Sequence, residues 1–278
     1  MLKLSIITIN RNNAEGLRKT MESVFAQTYQ DFEYIVVDGA STDGSVEVIK
    51  ELESTIKQRA TVDKSNIAFQ WISEPDTGIY NAMNKGIKMS GGEYLLFLNS
   101  GDWLCTPTVL TQVSPFLRGY DIVHGFVYMG QISPQNAERG VGGSELTFRD
   151  VYEGNLWHQA SFFNFRVFKQ YGLYEEDWKI AGDTAYYLRV LGLGEASFLY
   201  VNIAIAVQEL GGMSSRSNDA LRELAQEEEN RFKQQIPSRI LKMCEQEEKK
   251  VKLYDRLHTN KFIWYCTLIL SWLAKRNK

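Results

Sequence analysis

No run of this sequence reaches the roughly 20 apolar residues that a membrane-spanning helix needs. The nearest approach is the stretch 262–274 near the carboxyl end. The amino terminus, Met1-Leu2-Lys3-Leu4-Ser5-Ile6-Ile7, lacks the long apolar core and cleavage site of a signal peptide. Cysteine is scarce: Cys105, Cys244 and Cys266 stand far apart and form no CxxC pair. That points to a reducing, cytoplasmic compartment and no disulfide framework. The three histidines, His124, His158 and His258, show no zinc-ligand spacing. The net charge of -3 exerts no global pull toward nucleic acid, so none is expected as a partner. There is no internal repeat and no low-complexity tract. With 278 residues, 44% of them hydrophobic, the chain can fill the core of one large domain, or of a domain with an appendage.

The first hundred residues alternate between two periodicities. Short apolar runs at Leu4–Ile9, Tyr34–Val37, Phe69–Ile72 and Tyr94–Leu98 read as strands. Between them, Leu17/Met21/Val24, Val46/Ile49/Leu52/Ile56 and the segment Ile79–Met89 read as helices. Short connections imply right-handed crossovers, hence an α/β fold with a mainly parallel sheet flanked by helices. On such sheets ligands bind beyond the carboxyl ends of the strands. The polar clusters fall there: Asn10-Arg11-Asn12, Asp38 to Asp43, Glu74-Pro75-Asp76 and Asn99 to Asp102. Further on, Ile122–Met129 reads as a strand pair, 131–144 as a flexible loop suited to a lid, Ala160–Phe163 and Phe198–Val207 as strands, and Asp183–Leu191 as a helix. From Ser217 to Asn260 the sequence is charged and helical, broken at Pro237.

Each cluster has a chemical and a plain structural reading. Asp38, at the end of an apolar strand, suits hydrogen bonds from a base or ribose, while Asp43 or Ser45 caps the following helix. Asp76 and Thr77 suit helix capping, and Lys85 either approaches a diphosphate or is simply solvated. Asp102 closes the turn Asn99-Ser100-Gly101-Asp102. It suits a divalent cation shared with a diphosphate, or else a turn Asp bonded to its own backbone. Asp183 opens a helix and suits either a cap or a general base.

Taken together, Ser5-Ile6-Ile7-Thr8, Val37-Asp38-Gly39-x-Ser41-x-Asp43-Gly44, Glu74-x-Asp76-x-Gly78-Ile79-Tyr80-x-Ala82-Met83-Asn84-x-Gly86 and Leu98-Asn99-Ser100-Gly101-Asp102 resemble the family 2 glycosyltransferases of GT-A fold. Residues 3 to about 210 carry the resemblance, and its particular look is the colanic-acid-like branch of bacterial surface polysaccharide synthesis. It implies a GT-A, Rossmann-like catalytic domain over 1–215, with a nucleotide-binding half to about 104 and an acceptor half over 105–215, followed by a helical extension over 216–278. It further implies an inverting transferase that takes a nucleotide-sugar donor and Mn2+ or Mg2+. In that reading Asp183 is the catalytic base and Asp102 holds the metal. Thr8, Asn10, Asp38, Asp76, Asn84, Lys85, Asn99 and His158 lie along the nucleotide-sugar, and Gly211 to Ser215 matches a segment that closes on the donor's phosphates. Asn99 and Gly101 stand where the family commonly has Asp.

The segment 262–274 carries Trp264, Tyr265 and Trp272 between Lys261 and Lys275-Arg276. It fits an interfacial helix on the inner face of the membrane, which would present a lipid-linked saccharide acceptor. It also fits packing on the catalytic domain or in a homodimer. Two other functions compete: a nucleotidyltransferase, and an inactive nucleotide-sugar-binding protein. The first normally has a Gly-rich phosphate loop near its start, and between residues 8 and 16 only Gly16 is present. Retention of Asp38, Asp76, Asp102 and Asp183 speaks against the second.

Overall fold

In the computed structural model, residues 3–63, 67–139, 141, 146–210, 219–240, 242 and 246 are described. Four strands form the parallel half of the sheet: β1 (Leu4–Asn10), β2 (Phe32–Asp38), β3 (Ala68–Ser73) and β4 (Tyr94–Phe97). They lie in the order β3-β2-β1-β4, with Asn10 beside Asp38 and Asp38 beside Ser73. Every residue of β1, β2 and β4 is buried, which is why these runs are apolar without alternation. Helices α1 (Ala14–Phe25), α2 (Ser45–Asp63) and α3 (Ile79–Met89) make the crossovers.

Beyond β4 the sheet changes direction. It continues through β8 (Ser161–Asn164), β6 (Ile122–Met129), β9 (Phe198–Gln208) and β5 (Trp103–Leu104), and β7 (Ala137–Glu138) pairs with β6. The pairs β4–β8 and β8–β6 are antiparallel, whereas β6–β9 is parallel. Residues 122–129 form one long strand rather than the expected pair. Gly125 lies within it as the register shifts against β9 between His124 and Phe126, so the glycine marks an irregularity and not a turn. Short helices α4 (Val109–Val113), α5 (Phe148–Tyr152), α6 (Phe165–Tyr171) and α7 (Gly182–Tyr187) surround this half. Helix α7 runs on into a π-helical turn at Leu188–Gly192.

Helix α8 (Asp219–Gln235) stops before Pro237, as the missing N–H of proline requires. The chain divides into two compact units, Met1–Glu228 and Glu229–Lys278. The first unit ends at Glu228, whose carboxylate is hydrogen-bonded to the backbone of residues 179–181. No helix among the described residues is long and apolar enough to cross a membrane. The segments 211–215 and 261–278, like most of 140–145, lie outside the described residues.

Helix α3 lies so close on β1 that a Cβ added to Gly86 would overlap the Ile7 side chain, and Ile7 is fully buried. In Gly86→Ala that overlap costs about 1–3 kcal/mol, since a β-branched residue on a central strand has little room to yield. The ~1 kcal/mol by which alanine favours a helix over glycine offsets part of it, leaving a net loss of up to about 2 kcal/mol. The urea midpoint measures it, and an unchanged midpoint would show that β1 and α3 separate freely.

Candidate active site

The strand ends build one wall. Asp38 is fully buried, and its carboxylate accepts four hydrogen bonds: from Asn10 Nδ2 (2.7 Å), Ser41 Oγ (2.5 Å), Ser41 N (3.0 Å) and Ser73 Oγ (2.6 Å). Burial alone would raise its pKa, but the hydrogen bonds from Ser41, Ser73 and Asn10 outweigh it and the net shift is downward. Asp38 thus ties β1, β2, β3 and the 38–41 loop together as a fixed carboxylate. Asp43 accepts from Ser45 N at the start of α2 and from Ala14 N at the start of α1, so it serves two helices. Asp76 accepts from Gly78 N (3.0 Å), lies 3.7 Å from the Arg11 guanidinium, and packs where a Cβ on Gly39 would have to be. Asn10, Asp38 and Asp76 therefore share one cradle at the carboxyl edge of the sheet.

Three expected donor contacts have other work. Thr8 is a core residue: its hydroxyl donates to Leu98 O (2.8 Å) and meets Tyr34 Oη (2.9 Å). Asn84, 1% exposed, bonds both backbone groups of Tyr174 and also Glu176. Both side chains are enclosed and bonded within the protein. Lys85 pairs with Glu74 (2.8 Å) and donates to Pro75 O (2.7 Å), so it fixes the loop that carries Asp76.

The other wall is organised by a single 3-10 turn, His158–Ala160. His158 Nδ1 lies 2.9 Å from Asp183 Oδ2, and its Nε2 lies 3.1 Å from Asn99 Nδ2. With the Asn99 amide donating to Nε2, the imidazole proton sits on Nδ1 and is donated to Asp183. His158 therefore meets the acid at 183. The adjacent Gln159 donates from Nε2 to Asp102 Oδ2 (3.1 Å), and Asp102 Oδ1 accepts from Glu209 N (2.8 Å). Asp183 keeps 20% of its side chain exposed and also accepts from Thr184 N (2.8 Å). Tyr80 Oη accepts from Asp183 N (3.2 Å) and donates to Ile180 O (2.8 Å). From α3, Asn81 and Asn84 both hold Glu176, so Tyr80, Asn81 and Asn84 brace the segment 174–183.

Asp102 is 6% exposed. Burial pushes its carboxyl up to about 6, against the Glu209 N–H, His158 and the Gln159 amide, which favour the ionised form. Sequence reasoning missed Glu209. Gly101 has φ of 104°, and a side chain there would occupy the place taken by the Glu209 carboxylate. The acid absent at 101 thus has a counterpart from the end of β9. Among the described residues no group of three or more His, Cys, Asp or Glu is arranged to hold a metal. The local donors are hard oxygens, namely Asp102, Glu209 and the buried, unpartnered Oδ1 of Asn99. That set fits Mg2+ or Mn2+ whose remaining ligands come from a diphosphate and water.

The family model for glycosyl transferase family 2 matches residues 5–184. An uncharacterized glycosyltransferase of Mycobacterium tuberculosis is 35% identical over 189 residues, 67% of this chain and 68% of that protein. A PGL/p-HBAD biosynthesis glycosyltransferase of Mycobacterium bovis is 28% identical over 215 residues, covering 76% of this chain and 78% of its own. Among solved structures, Staphylococcus aureus TarS 1-349 in complex with UDP-GlcNAc superimposes with a TM-score of 0.62 at 19% identity, over 80% of this chain and 64% of that one. The mannosyltransferase PcManGT of Pyrobaculum calidifontis, in complex with GDP-Man and Mn2+, gives 0.58 at 16% identity, over 80% and 60%. At these identities the structural likeness is one of fold, a mixed α/β GT-A architecture.

Asp102 also sets a pH test of the metal-free protein. Its carboxyl titrates near 6 when folded and near roughly 3.9 when unfolded. The folded state therefore holds the extra proton between those values. Its contribution to stability is present below about 4 and is lost as pH rises through about 6, by roughly 3 kcal/mol in all. Asp102→Asn removes the charge, and Gln159, whose Oε1 has no partner, can turn that atom toward the new amide. In EDTA the variant should melt above wild type at pH 7 and converge with it near pH 4. A lower melting temperature at pH 7 would contradict the buried-charge account.

Proposed function

This chain belongs to glycosyl transferase family 2, and from that membership we propose an inverting, metal-assisted transfer in which Asp183 takes the proton from the acceptor hydroxyl. The observation that carries the proposal is the hydrogen-bonded chain Asn99–His158–Asp183, set beside Asp102 on the same turn. His158 Nδ1–H fixes one carboxylate oxygen of Asp183, and the backbone N–H of Thr184 orients the other. Of the two acids held by the turn, Asp183 is the more open to solvent, as a base that must meet an acceptor requires. Attack by the deprotonating hydroxyl on the sugar C1, from the face opposite the leaving diphosphate, inverts that centre in one displacement.

On the donor side, Asn10, Asp38 and Asp76 line the cradle for base and ribose, and Asp102, Glu209 and Asn99 would hold a divalent cation. When bound, that cation neutralises charge gathering on the leaving diphosphate. The Mn2+ in PcManGT supports a metal, and the mycobacterial PGL/p-HBAD biosynthesis glycosyltransferase supports a biosynthetic role for the transfer. We place the enzyme in bacterial exopolysaccharide, capsule or lipopolysaccharide synthesis. There the tail 261–278 attaches it peripherally to the inner face of the membrane, next to a lipid-linked acceptor.

A panel of UDP-, GDP- and dTDP-sugars, assayed for metal-dependent release of nucleoside diphosphate, tests the reaction. Asp183→Asn should lower kcat on the order of 10²- to 10⁴-fold while donor affinity by calorimetry stays within a few-fold, because the base acts in the transition state. Wild-type turnover by this variant would remove Asp183 from the mechanism. For the tail, full-length protein should float with anionic liposomes, and a chain ending at Asn260 should not. Equal flotation of the two would end the membrane proposal.

A further inference from the structure

Glu228 lies outside the residues matched by the family, on α8, in the run Glu227-Glu228-Glu229. Its neighbour Glu227 is exposed, but Glu228 is 5% exposed. The carboxylate accepts three backbone N–H groups in succession: Lys179 N to Oε1 (2.5 Å), Ile180 N to Oε2 (2.9 Å) and Ala181 N to Oε2 (2.7 Å). These donors directly precede α7, whose first turn carries Asp183. No side chain caps α7 at Ala181, so the N–H groups that lead into it are satisfied by Glu228. Bonds from an ionised carboxylate to N–H are among the stronger protein hydrogen bonds, and three on one segment leave its backbone little freedom.

From the opposite side, α3 grips the same segment: Tyr80 Oη donates to Ile180 O, and Lys179 Nζ donates to Thr77 O. The strand of chain leading to Asp183 is therefore held between α3 and the carboxylate of Glu228. We infer that Glu228 is a positioning residue for the base, setting the location of Asp183 through the backbone of Lys179, Ile180 and Ala181. Its carboxylate is buried against that backbone, so its effect should fall on turnover and not on donor binding. This inference rests on Asp183 serving as the base.

The test compares Glu228→Ala and Glu228→Gln with wild type and with Glu229→Ala, which loses only an ion pair to Lys233. A misplacement of about 1 Å costs on the order of 100-fold in rate, which is the loss of kcat expected for Glu228→Ala. Glu228→Gln keeps one carbonyl acceptor and should recover part of it, leaving a loss on the order of 10-fold. Donor KM and nucleoside diphosphate affinity should stay within about two-fold in both, and Glu229→Ala should match wild type. Hydrogen exchange at residues 179–181 should accelerate in the order wild type, Gln, Ala. A purely structural role would reduce the yield of folded protein, or raise donor KM, with kcat per folded molecule unchanged. Either result would overturn the inference, as would faster exchange at 179–181 with full turnover. Should Glu228→Ala fail to fold, Glu228→Gln decides, and wild-type kcat in that variant also overturns it. An active wild type with an unimpaired Asp183→Asn would remove the base assignment, and this inference with it. An impaired Asp183→Asn beside an unimpaired Glu228→Gln would remove this inference alone.

Discussion

His158 and Gln159 are neighbours on one short turn, yet the first reaches Asp183 and the second Asp102. The two acids come from places that share no local structure, the end of β4 and the start of α7. Their relative placement depends on that turn. It lies just before β8, which is hydrogen-bonded antiparallel to β4, so the sheet itself carries the turn to the Asn99–Asp102 loop. A second constraint comes from Thr20, whose hydroxyl donates to Asp102 O (2.6 Å) and accepts from Gly101 N (3.0 Å), binding α1 to that loop. The loop is thus fixed by sheet pairing on one side and by a helix on the other.

A fixed loop has an energetic cost that is visible in Asp102. A carboxyl buried to 6% exposure and pushed up to about 6 is held against its solvation preference. The cation and diphosphate proposed for this site would offset that cost. Asp38 is the opposite case. Equally buried, it has four donors and its pKa moves down. Of these two acids at the carboxyl edge of the sheet, Asp38 braces the strand ends and Asp102 keeps the cost of its burial.

The parallel half of the fold was readable because three of its four strands, β1, β2 and β4, are buried on both faces. Continuous apolar runs ending in Asn10, Asp38 and Asn99 leave little choice of period or direction, and the acids mark the carboxyl edge. The antiparallel half was less readable. β5 and β7 have two residues each and no periodicity to detect, and Ile122–Met129 contains a glycine that mimics a turn. In the site, single residues were legible but their pairings were not. Nothing in the spacing of His158 and Asp183 indicates a 2.9 Å contact, and Thr8 and Asn84 look polar and available until the packing around them is known. Glu209 resembles any loop acid without the backbone of Gly101 beside it. Glu228 did leave a trace: with Ala225 and Phe232 it makes a buried stripe at helical spacing. An acid within such a stripe is a sign of a buried partner.

The three amides held by Glu228 wait for a residue some distance further along the chain. A protein made from its amino terminus emerges in order, and its parts fold as they become available. The residues of β1 to β4 and of the Asn10–Asp38–Asp76 cradle all precede residue 98, and those of β8, β6 and β9 end at Gln208. Glu228 follows later still. During synthesis the residues of the cradle are therefore made first, those of the His158–Asp183 contact second, and the restraint that Glu228 places on residues 179–181 becomes available last.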